Sequence, residues 1–279
     1  MESQGGNWLE CRDTRLQLGK RTIIMGILNI TPDSFSDGGA YADIDAAVAR
    51  ATQMAEEGAD IIDVGGESTR PGATAVSEQE ELRRVIPVIK AISRAVPLPL
   101  SIDTYKANVA REALAAGAHI INDIWGCKKD SDMARVAADS GCPIVLMHNR
   151  REPVYEGDLL AHMLDDLQQS VQLALEAGVA ASQIVLDPGI GFGKTVEHNL
   201  EAMGRLGELR QLGYPLLLGT SRKSFIYKTL GLPASDVVEG TAATVALGIA
   251  QGCEIMRVHD VRQMKRVALM CDAIVRREG

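Results

Sequence analysis

The segment Ile184-Val-Leu-Asp-Pro-Gly-Ile-Gly-Phe-Gly-Lys194 shows how this chain is built. Its first three residues are aliphatic, which is typical of a buried strand. The strand then ends in Asp187 and a loop with three glycines, whose backbone can take conformations that other residues avoid. An acid at the end of an apolar strand can form the floor of a binding site, but Asp-Pro-Gly is also ordinary turn chemistry. The other strands of the chain decide between these two interpretations.

The same unit recurs along the chain: an amphipathic helix, a glycine, an apolar strand and then a polar residue. Six glycines follow helix-like stretches, and they are Gly58, Gly117, Gly141, Gly178, Gly213 and Gly252. A glycine in this position takes the left-handed conformation that ends many helices. The strands that follow are continuous apolar runs, as expected for a parallel sheet covered by helices. Two further runs, at 22–30 and 99–103, bring the number of predicted strands to eight.

The helices and the spacing of the strands indicate one barrel. Residues 82–96 are apolar at helical spacing, and Ser77 with Glu80 predicts a capping box in front of them. Strand–helix units of about 30 residues, with no linker between halves, predict a single α/β domain over 1–279 with a (β/α)8 TIM barrel. Residues 1–20 are predicted to form a short N-terminal hairpin. The main alternative is a doubly wound open sheet, but no G-x-G-x-x-G sequence follows the first strand to mark its switch point.

Composition excludes several classes of protein. The formal net charge of −8 argues against binding nucleic acid through a broad basic face. Five scattered cysteines without a CxxC pair favour reduced thiols over disulfides or zinc. The N-terminus has no signal-peptide pattern, and no apolar run approaches the ~18 residues of a membrane span. We therefore expect a cytoplasmic protein that binds neither nucleic acid nor membranes.

Polar residues follow every predicted strand, and a barrel of this kind carries its site at these strand ends. In chain order they are Asn29; Asp63 and Glu67; Asp103; Asn122 and Asp123; His148 and Asn149; Asp187; Ser221, Arg222 and Lys223; and Arg257, His259 and Asp260. Taken singly, each has a structural explanation, such as capping the next helix. Eight strands that all end in this way favour a shared polar mouth.

These side chains divide by charge. Three are short hydrogen-bond acceptors that suit a flat, nitrogen-rich heterocycle, namely Asp103, Asn122 and Asp187. Four are donors that suit an anion, namely Arg70, Lys223, Arg257 and His259. We expect the acids at the bottom of the site and the bases at its rim. Two glycine-rich loops, at 31–39 and 65–72, suit mobile lids, whereas 189–194 lacks the spacing of a phosphate-binding P-loop.

Several motifs together resemble the dihydropteroate synthase family, the folate-pathway enzymes that sulfonamides target. They lie at 26–39, 63–72, 101–104, 121–123, 186–194, 219–224 and 257–260, so the resemblance extends in order from the first predicted strand to the last. The resemblance implies that 7,8-dihydropterin-6-ylmethyl diphosphate and 4-aminobenzoate condense to 7,8-dihydropteroate and diphosphate with the help of Mg²⁺. It also implies a homodimer.

The resemblance implies a role for particular residues. Pterin binding is implied for Asp103, Asn122, Asp187 and Lys223. The diphosphate is implied to lie at Asn29, Arg70, Arg257 and His259, with Asn29 also reaching Mg²⁺. The aminobenzoate subsite is implied for Phe35, Thr69, Arg70, Pro71, Phe192, Lys223 and Ser224. The catalytic group is implied to be Asp103, Asp187 and Lys223, with Asp37 from the first loop.

Two other functions are consistent with a pterin-binding barrel. A methyltetrahydrofolate-dependent corrinoid methyltransferase would share the pterin pocket, but it has no need of the Ser-Arg-Lys and Arg-Val-His segments or of the Thr-Arg-Pro loop. A non-catalytic pterin-binding barrel has no need to retain the lid and anion residues. Turnover with both substrates distinguishes these functions from the synthase reaction.

Overall fold

The computed structural model describes residues 8–30, 39–67 and 75–276. The strands in chain order are β1 (Trp8–Cys11), β2 (Thr14–Gln17), β3 (Ile23–Asn29), β4 (Ile61–Gly65), β5 (Leu100–Asp103), β6 (Ile120–Asp123), β7 (Ile144–Met147), β8 (Ile184–Asp187), β9 (Leu217–Leu218) and β10 (Ile255–Val258). The α-helices are α1 (Gly39–Glu56), α2 (Glu78–Ala95), α3 (Ala107–Ala116), α4 (Met133–Ser140), α5 (Leu159–Glu176), α6 (Val196–Gly204), α7 (Ser224–Leu230), α8 (Val238–Ala250) and α9 (Val261–Val275). Short 3₁₀ helices span Ala181–Gln183 and Leu206–Leu212.

Eight parallel strands form the barrel. The strands β3 to β8 pair in sequence order, while β10 pairs with β3 on one side and with β9 on the other. A parallel bridge between Leu186 and Leu216 connects β8 to the segment just before β9. The helices between successive strands cover the outside, since parallel strands need crossover connections. The predicted (β/α)8 barrel is therefore confirmed.

Alternation along each strand sorts side chains between the two faces of the sheet. On β4, Ile61 belongs to the core inside the barrel, whereas Ile62 packs with the surrounding helices. On β8, Val185 faces inward and Leu186 outward. The next inward positions, at the carboxyl ends of these strands, are Asp63 and Asp187. The barrel is thus apolar at its amino-terminal end and polar at its carboxyl-terminal end.

The predicted hairpin is confirmed as β1 and β2, which pair antiparallel around residues 12 and 13. Its side chains Leu9 and Cys11 are buried, and they join the apolar core inside the barrel together with Leu18. This core lies at the amino-terminal ends of the strands. The hairpin therefore covers the end of the barrel opposite to the polar side chains.

Local structure follows the sequence signals closely. All six glycines predicted to follow helices have positive φ angles, from 65° at Gly141 to 118° at Gly117. Ser77 caps α2 by accepting a hydrogen bond from the Glu80 backbone N–H. The Glu80 side chain, however, binds Arg83 and Arg84, so only the serine half of the predicted capping box is present. All five cysteines are free thiols. Within the ranges that the structure describes, no helix is both long and apolar enough to cross a membrane.

Candidate active site

A cavity opens at the carboxyl-terminal ends of the barrel strands. It encloses about 310 Å³ including its open mouth. Its lining residues are Asp103, Asn122, Ile124, Met147, Asp187, Ile190, Phe192, Gly219, Lys223 and Arg257. Six of them were predicted as site residues from the sequence, and the structure brings them together although they are spread over more than 150 positions of the chain.

Arg257 lies between two carboxylates at the centre of the site. Its Nε donates to Asp63 Oδ2 at 2.6 Å, and its Nη2 donates to Asp103 Oδ2 at 2.5 Å. The amide of Asn122 donates to the same Asp63 oxygen at 3.2 Å. Arg257 belongs to β10 and points into the barrel, so the expectation that this base lies at the rim is wrong. The strand alternation that directs Asp63 and Asp103 inward directs Arg257 inward as well.

The second oxygens of both carboxylates are buried. Neither Asp63 Oδ1 nor Asp103 Oδ1 has a hydrogen-bond partner within the described part of the chain. Since an unpaired buried acceptor is costly, each of these atoms is a candidate partner for a ligand N–H group or a water molecule. Burial raises the pKa of Asp103 to about 7, although the charge of Arg257 acts in the opposite direction.

Asp187 stands on the other side of the cavity at the end of β8. Its Oδ1 accepts a hydrogen bond of 2.7 Å from the backbone N–H of Gly189. Burial raises the pKa of Asp187 to about 6, while this hydrogen bond and the charge of Lys223 lower it. Lys223, the residue before α7, places its Nζ 3.9 Å from the centre of the Phe192 ring. An ammonium and an aromatic ring therefore line one wall of the cavity together.

The remaining described residues of the predicted site lie at or after the carboxyl-terminal ends of barrel strands, but they do not line the cavity. Asn29 ends β3, and both its Oδ1 and Asp103 Oδ2 lie within 4 Å of the position that a Cβ would occupy on Gly65. His259 contacts Ser221 Oγ through its backbone N–H at 3.2 Å and its Nδ1 at 3.0 Å. Ser224 is the first residue of α7, directly after Lys223.

Five residues of the predicted site lie outside the described residues. They are Phe35 and Asp37 in the first glycine-rich loop, and Thr69, Arg70 and Pro71 in the second. Their roles stay predictions.

Two charged residues near the cavity have no assigned role in the predicted site, although Asp63 was among the polar residues predicted at the strand ends. Asp63 is fully buried and binds both Arg257 and Asn122. Its position at a strand end, in phase with Asp103, could have indicated from the sequence that it belongs to the site. Lys194 places its Nζ 2.7 Å from His148 Nδ1 and 3.0 Å from the Gly189 carbonyl oxygen. Burial lowers the pKa of Lys194 to about 7, and it lowers the pKa of His148 to about 2, so the imidazole is neutral. No sequence pattern indicates that these two side chains meet.

Comparison with known proteins gives a consistent result. Residues 25–259 match the family model described as pterin binding enzyme. The chain is 56% identical to the dihydropteroate synthase of Bacillus subtilis (strain 168) over 271 residues, which is 97% of this chain and 95% of that protein. The structure of Xanthomonas albilineans dihydropteroate synthase with 4-aminobenzoic acid is similar at a TM-score of 0.92 and 41% identity, covering 96% of this chain and 98% of that one. The same enzyme in complex with 7,8-dihydropteroate is similar at a TM-score of 0.88 and 39% identity, with the same coverage. The chain therefore belongs to the pterin-binding enzyme family, and within it to the dihydropteroate synthases.

Proposed function

We propose that this chain condenses 7,8-dihydropterin-6-ylmethyl diphosphate with 4-aminobenzoate to give 7,8-dihydropteroate and diphosphate. The observation that carries the proposal is a cavity lined by acceptors (Asp103, Asn122 and Asp187) together with an ammonium and an aromatic ring (Lys223 and Phe192). The similar Xanthomonas enzyme binds 4-aminobenzoic acid in one structure and 7,8-dihydropteroate in another.

The acceptors suit the pterin. Its ring edge carries several N–H groups, and a carboxylate accepts paired donors well. Asp103 Oδ1 has no partner in the described part of the chain, and the contact of Asp187 with Gly189 is made through Oδ1. Asn122 offers both a donor and an acceptor. Lys223 supplies an N–H donor on the same side, so these four residues would hold the pterin ring at the bottom of the cavity.

The diphosphate would lie above the ring, near Asn29, Arg257 and His259, with Arg70 reaching it from the second loop. Arg257 has donor atoms beyond the two that bind Asp63 and Asp103, because a guanidinium carries five N–H groups. Asn29 offers an amide oxygen, the hard type of ligand that Mg²⁺ prefers, and substrate phosphates commonly complete the coordination of this ion. When bound, Mg²⁺ would stabilise the charge that develops on the leaving diphosphate.

The aminobenzoate would bind beside Phe192, Lys223 and Ser224, and the loop residues Phe35, Thr69, Arg70 and Pro71 would complete this subsite. Its carboxylate suits a cationic neighbour, and its ring suits the Phe192 face. The amine is neutral near pH 7 and needs no strong base to attack carbon. Closure of the two loops would exclude water, which otherwise competes for the same carbon.

The two carboxylates give the site its chemical role. As the C–O bond to diphosphate breaks, positive charge develops on the pterin methylene group. Asp103 and Asp187 are buried on either side of the cavity, where their charges are weakly screened, and they would lower the energy of this cation. Asp37, on the first loop, is the further acid proposed to add to this effect.

One turnover assay tests the function. The protein is incubated with Mg²⁺ and both substrates, and dihydropteroate and diphosphate are quantified. We expect the two products in equal amounts, no dihydropteroate when 4-aminobenzoate is omitted, and loss of rate when the metal is chelated. A protein that binds the pterin but forms no product would instead be a non-catalytic barrel. Methyl transfer from methyltetrahydrofolate to a corrinoid would identify the methyltransferase alternative.

We also propose a homodimer, located in the cytoplasm, in which residues 1–279 of each chain form one domain. Four large apolar side chains on the neighbouring helices α8 and α9 are between 55% and 62% exposed: Leu247, Leu269, Met270 and Ile274. Such a patch on a barrel surface suits contact with a second copy. Light scattering should show a dimer for the native chain and a monomer for Leu269→Glu combined with Ile274→Glu. A monomeric native chain would contradict the proposal.

A further inference from the structure

The loop at 188–194 is rich in glycine, yet side chains hold its backbone in place. Asp187 accepts from the Gly189 N–H, and Asn199 Oδ1 accepts from the Gly191 N–H at 2.6 Å. On the opposite side, Tyr155 donates to the Gly193 carbonyl oxygen at 2.8 Å. These contacts give the loop one defined conformation, because each satisfied backbone group would have to be exposed again if the loop moved.

Lys194 adds two further contacts of this kind. Its Nζ donates to the Gly189 carbonyl oxygen at 3.0 Å and to the Phe192 carbonyl oxygen at 3.2 Å, while it also contacts His148 Nδ1 at 2.7 Å. A protonated amine has three N–H donors, and a neutral amine still has two for the two carbonyls. Lys194 itself does not line the cavity. It therefore acts on the site through the backbone of the loop.

The loop also packs closely against the end of β7. A Cβ on Gly189 would lie 1.9 Å from the carbonyl oxygen of His148, so the two backbones are in direct contact there. His148 is fully buried behind the loop. Lys194 connects the loop to His148 on the side away from the cavity, while the Phe192 ring lines the cavity.

We propose that Lys194 is a positioning residue that sets the Phe192 ring in the aminobenzoate subsite by tying the Gly189 and Phe192 carbonyls to His148. The inference rests on the proposed function. Phe192 is held at two points: its carbonyl by Lys194, and its ring by Lys223 at 3.9 Å. Among the pterin residues, Asp103 and Asn122 belong to strands β5 and β6, outside this loop, whereas Asp187 touches the loop through the Gly189 N–H. Loss of the lysine contacts should therefore affect one substrate more than the other.

The test is a double-mutant cycle between Lys194→Met and Phe192→Ala, in the full-length protein, with KM measured for each substrate. We expect Lys194→Met to raise the KM for 4-aminobenzoate by about fivefold or more, because the hydrogen bonds to the Gly189 and Phe192 carbonyls are lost. The KM for the pterin diphosphate should change by less than about twofold. In the Phe192→Ala background, where the ring is absent, Lys194→Met should add less than about twofold to the KM for 4-aminobenzoate.

A second lysine provides a matched control. Lys265 is also partly buried and binds Asp60 Oδ2 at 3.3 Å, just before β4 and at the opposite end of the barrel. Lys265→Met should lower thermal stability without changing the ratio of the two KM values. If Lys194→Met does not fold, Lys194→Gln takes its place in the cycle. Its shorter side chain retains two N–H donors, which favours folding but cannot replace all three lysine contacts, so a smaller but still selective rise in the KM for 4-aminobenzoate is then expected.

Equal changes in both KM values would overturn the inference, as would a lysine effect of the same size with and without the Phe192 ring. Hydrogen exchange distinguishes failure of this inference from failure of the proposed function, because the measurement needs no turnover. The Gly189 and Gly191 amides should lose protection in Lys194→Met but not in Lys265→Met. Unchanged protection would also overturn the inference, whatever the enzyme's activity.

Discussion

At the scale of single residues, the centre of the site is a buried charge network rather than a row of independent ligands. Arg257 binds Asp63 and Asp103 together, and its charge opposes the rise in the pKa of Asp103 that burial causes. Asp63 also fixes the amide of Asn122 through one oxygen. The orientation of Asn122, a proposed pterin-binding residue, thus depends on Asp63, which has no predicted contact with the substrate.

The ionisation of Asp103 predicts how pterin binding depends on pH. Burial raises the pKa of Asp103 to about 7, and the acceptor role requires the carboxylate form, so affinity should rise as pH increases from about 5 to about 8. Asp103→Asn removes this titration and should flatten the rise above pH ~6. Below that pH a slope should remain, because burial also raises the pKa of Asp187 to about 6.

Calorimetric titration of both proteins with the pterin diphosphate, at several pH values, measures this effect. Ionisation of the ligand itself is common to the two series and cancels in their ratio. If the native protein and Asp103→Asn lost affinity in parallel as the pH fell, Asp103 would not be the titrating group.

At the scale of strands and loops, the sequence predicted where the strands lie better than it predicted which side chains contact each other. The glycines after helices and the apolar runs identified all eight strands, and the side-chain period of two explains why Asp187 points inward after Val185. It does not show that Arg257 would bind Asp63, because that contact joins strands 194 positions apart. For the same reason Lys194 was missed: a lysine at the end of a glycine loop has no pattern that reveals its contact with His148.

Two glycines with nearly the same backbone conformation test how closely the loop after β8 is packed. Gly189 has φ of 64° and Gly141, which ends α4, has φ of 65°. An added Cβ would meet nothing within 4 Å at Gly141, but it would lie 1.9 Å from the His148 carbonyl oxygen at Gly189. Gly141→Ala should cost about 1 kcal/mol for the left-handed conformation alone. Gly189→Ala should cost at least ~2 kcal/mol more, because the loop must also move away from β7.

Denaturant unfolding of both variants gives the two free energies of unfolding. The KM for 4-aminobenzoate should increase only in Gly189→Ala, since only that loop carries Phe192. Equal destabilisation of the two variants would show that the loop after β8 can shift without cost, and would argue against its defined conformation.

At the scale of the whole molecule, the barrel separates stability from chemistry along its axis. The amino-terminal end is filled by an apolar core to which the hairpin contributes Leu9 and Cys11, while the carboxyl-terminal end holds the charged network. The hairpin itself was predicted from the sequence, but its place beneath the barrel was not. That place depends on contacts with inward residues such as Val185, which lies 176 positions after Leu9 and has no local relation to it.

This division predicts that the core beneath the barrel can be damaged without changing substrate binding. Leu9 is 1% exposed, and Leu9→Ala should lower the free energy of unfolding by about 2–4 kcal/mol, as buried leucines do when a cavity replaces them. Leu173 on α5 is 41% exposed, and Leu173→Ala should cost less than about 1 kcal/mol. Because the polar side chains at the strand ends stay in place, both KM values should remain within about twofold of the native values while Leu9→Ala is folded. A Leu9→Ala protein with native stability, or with a selective increase in either KM, would show that the two ends of the barrel are not independent.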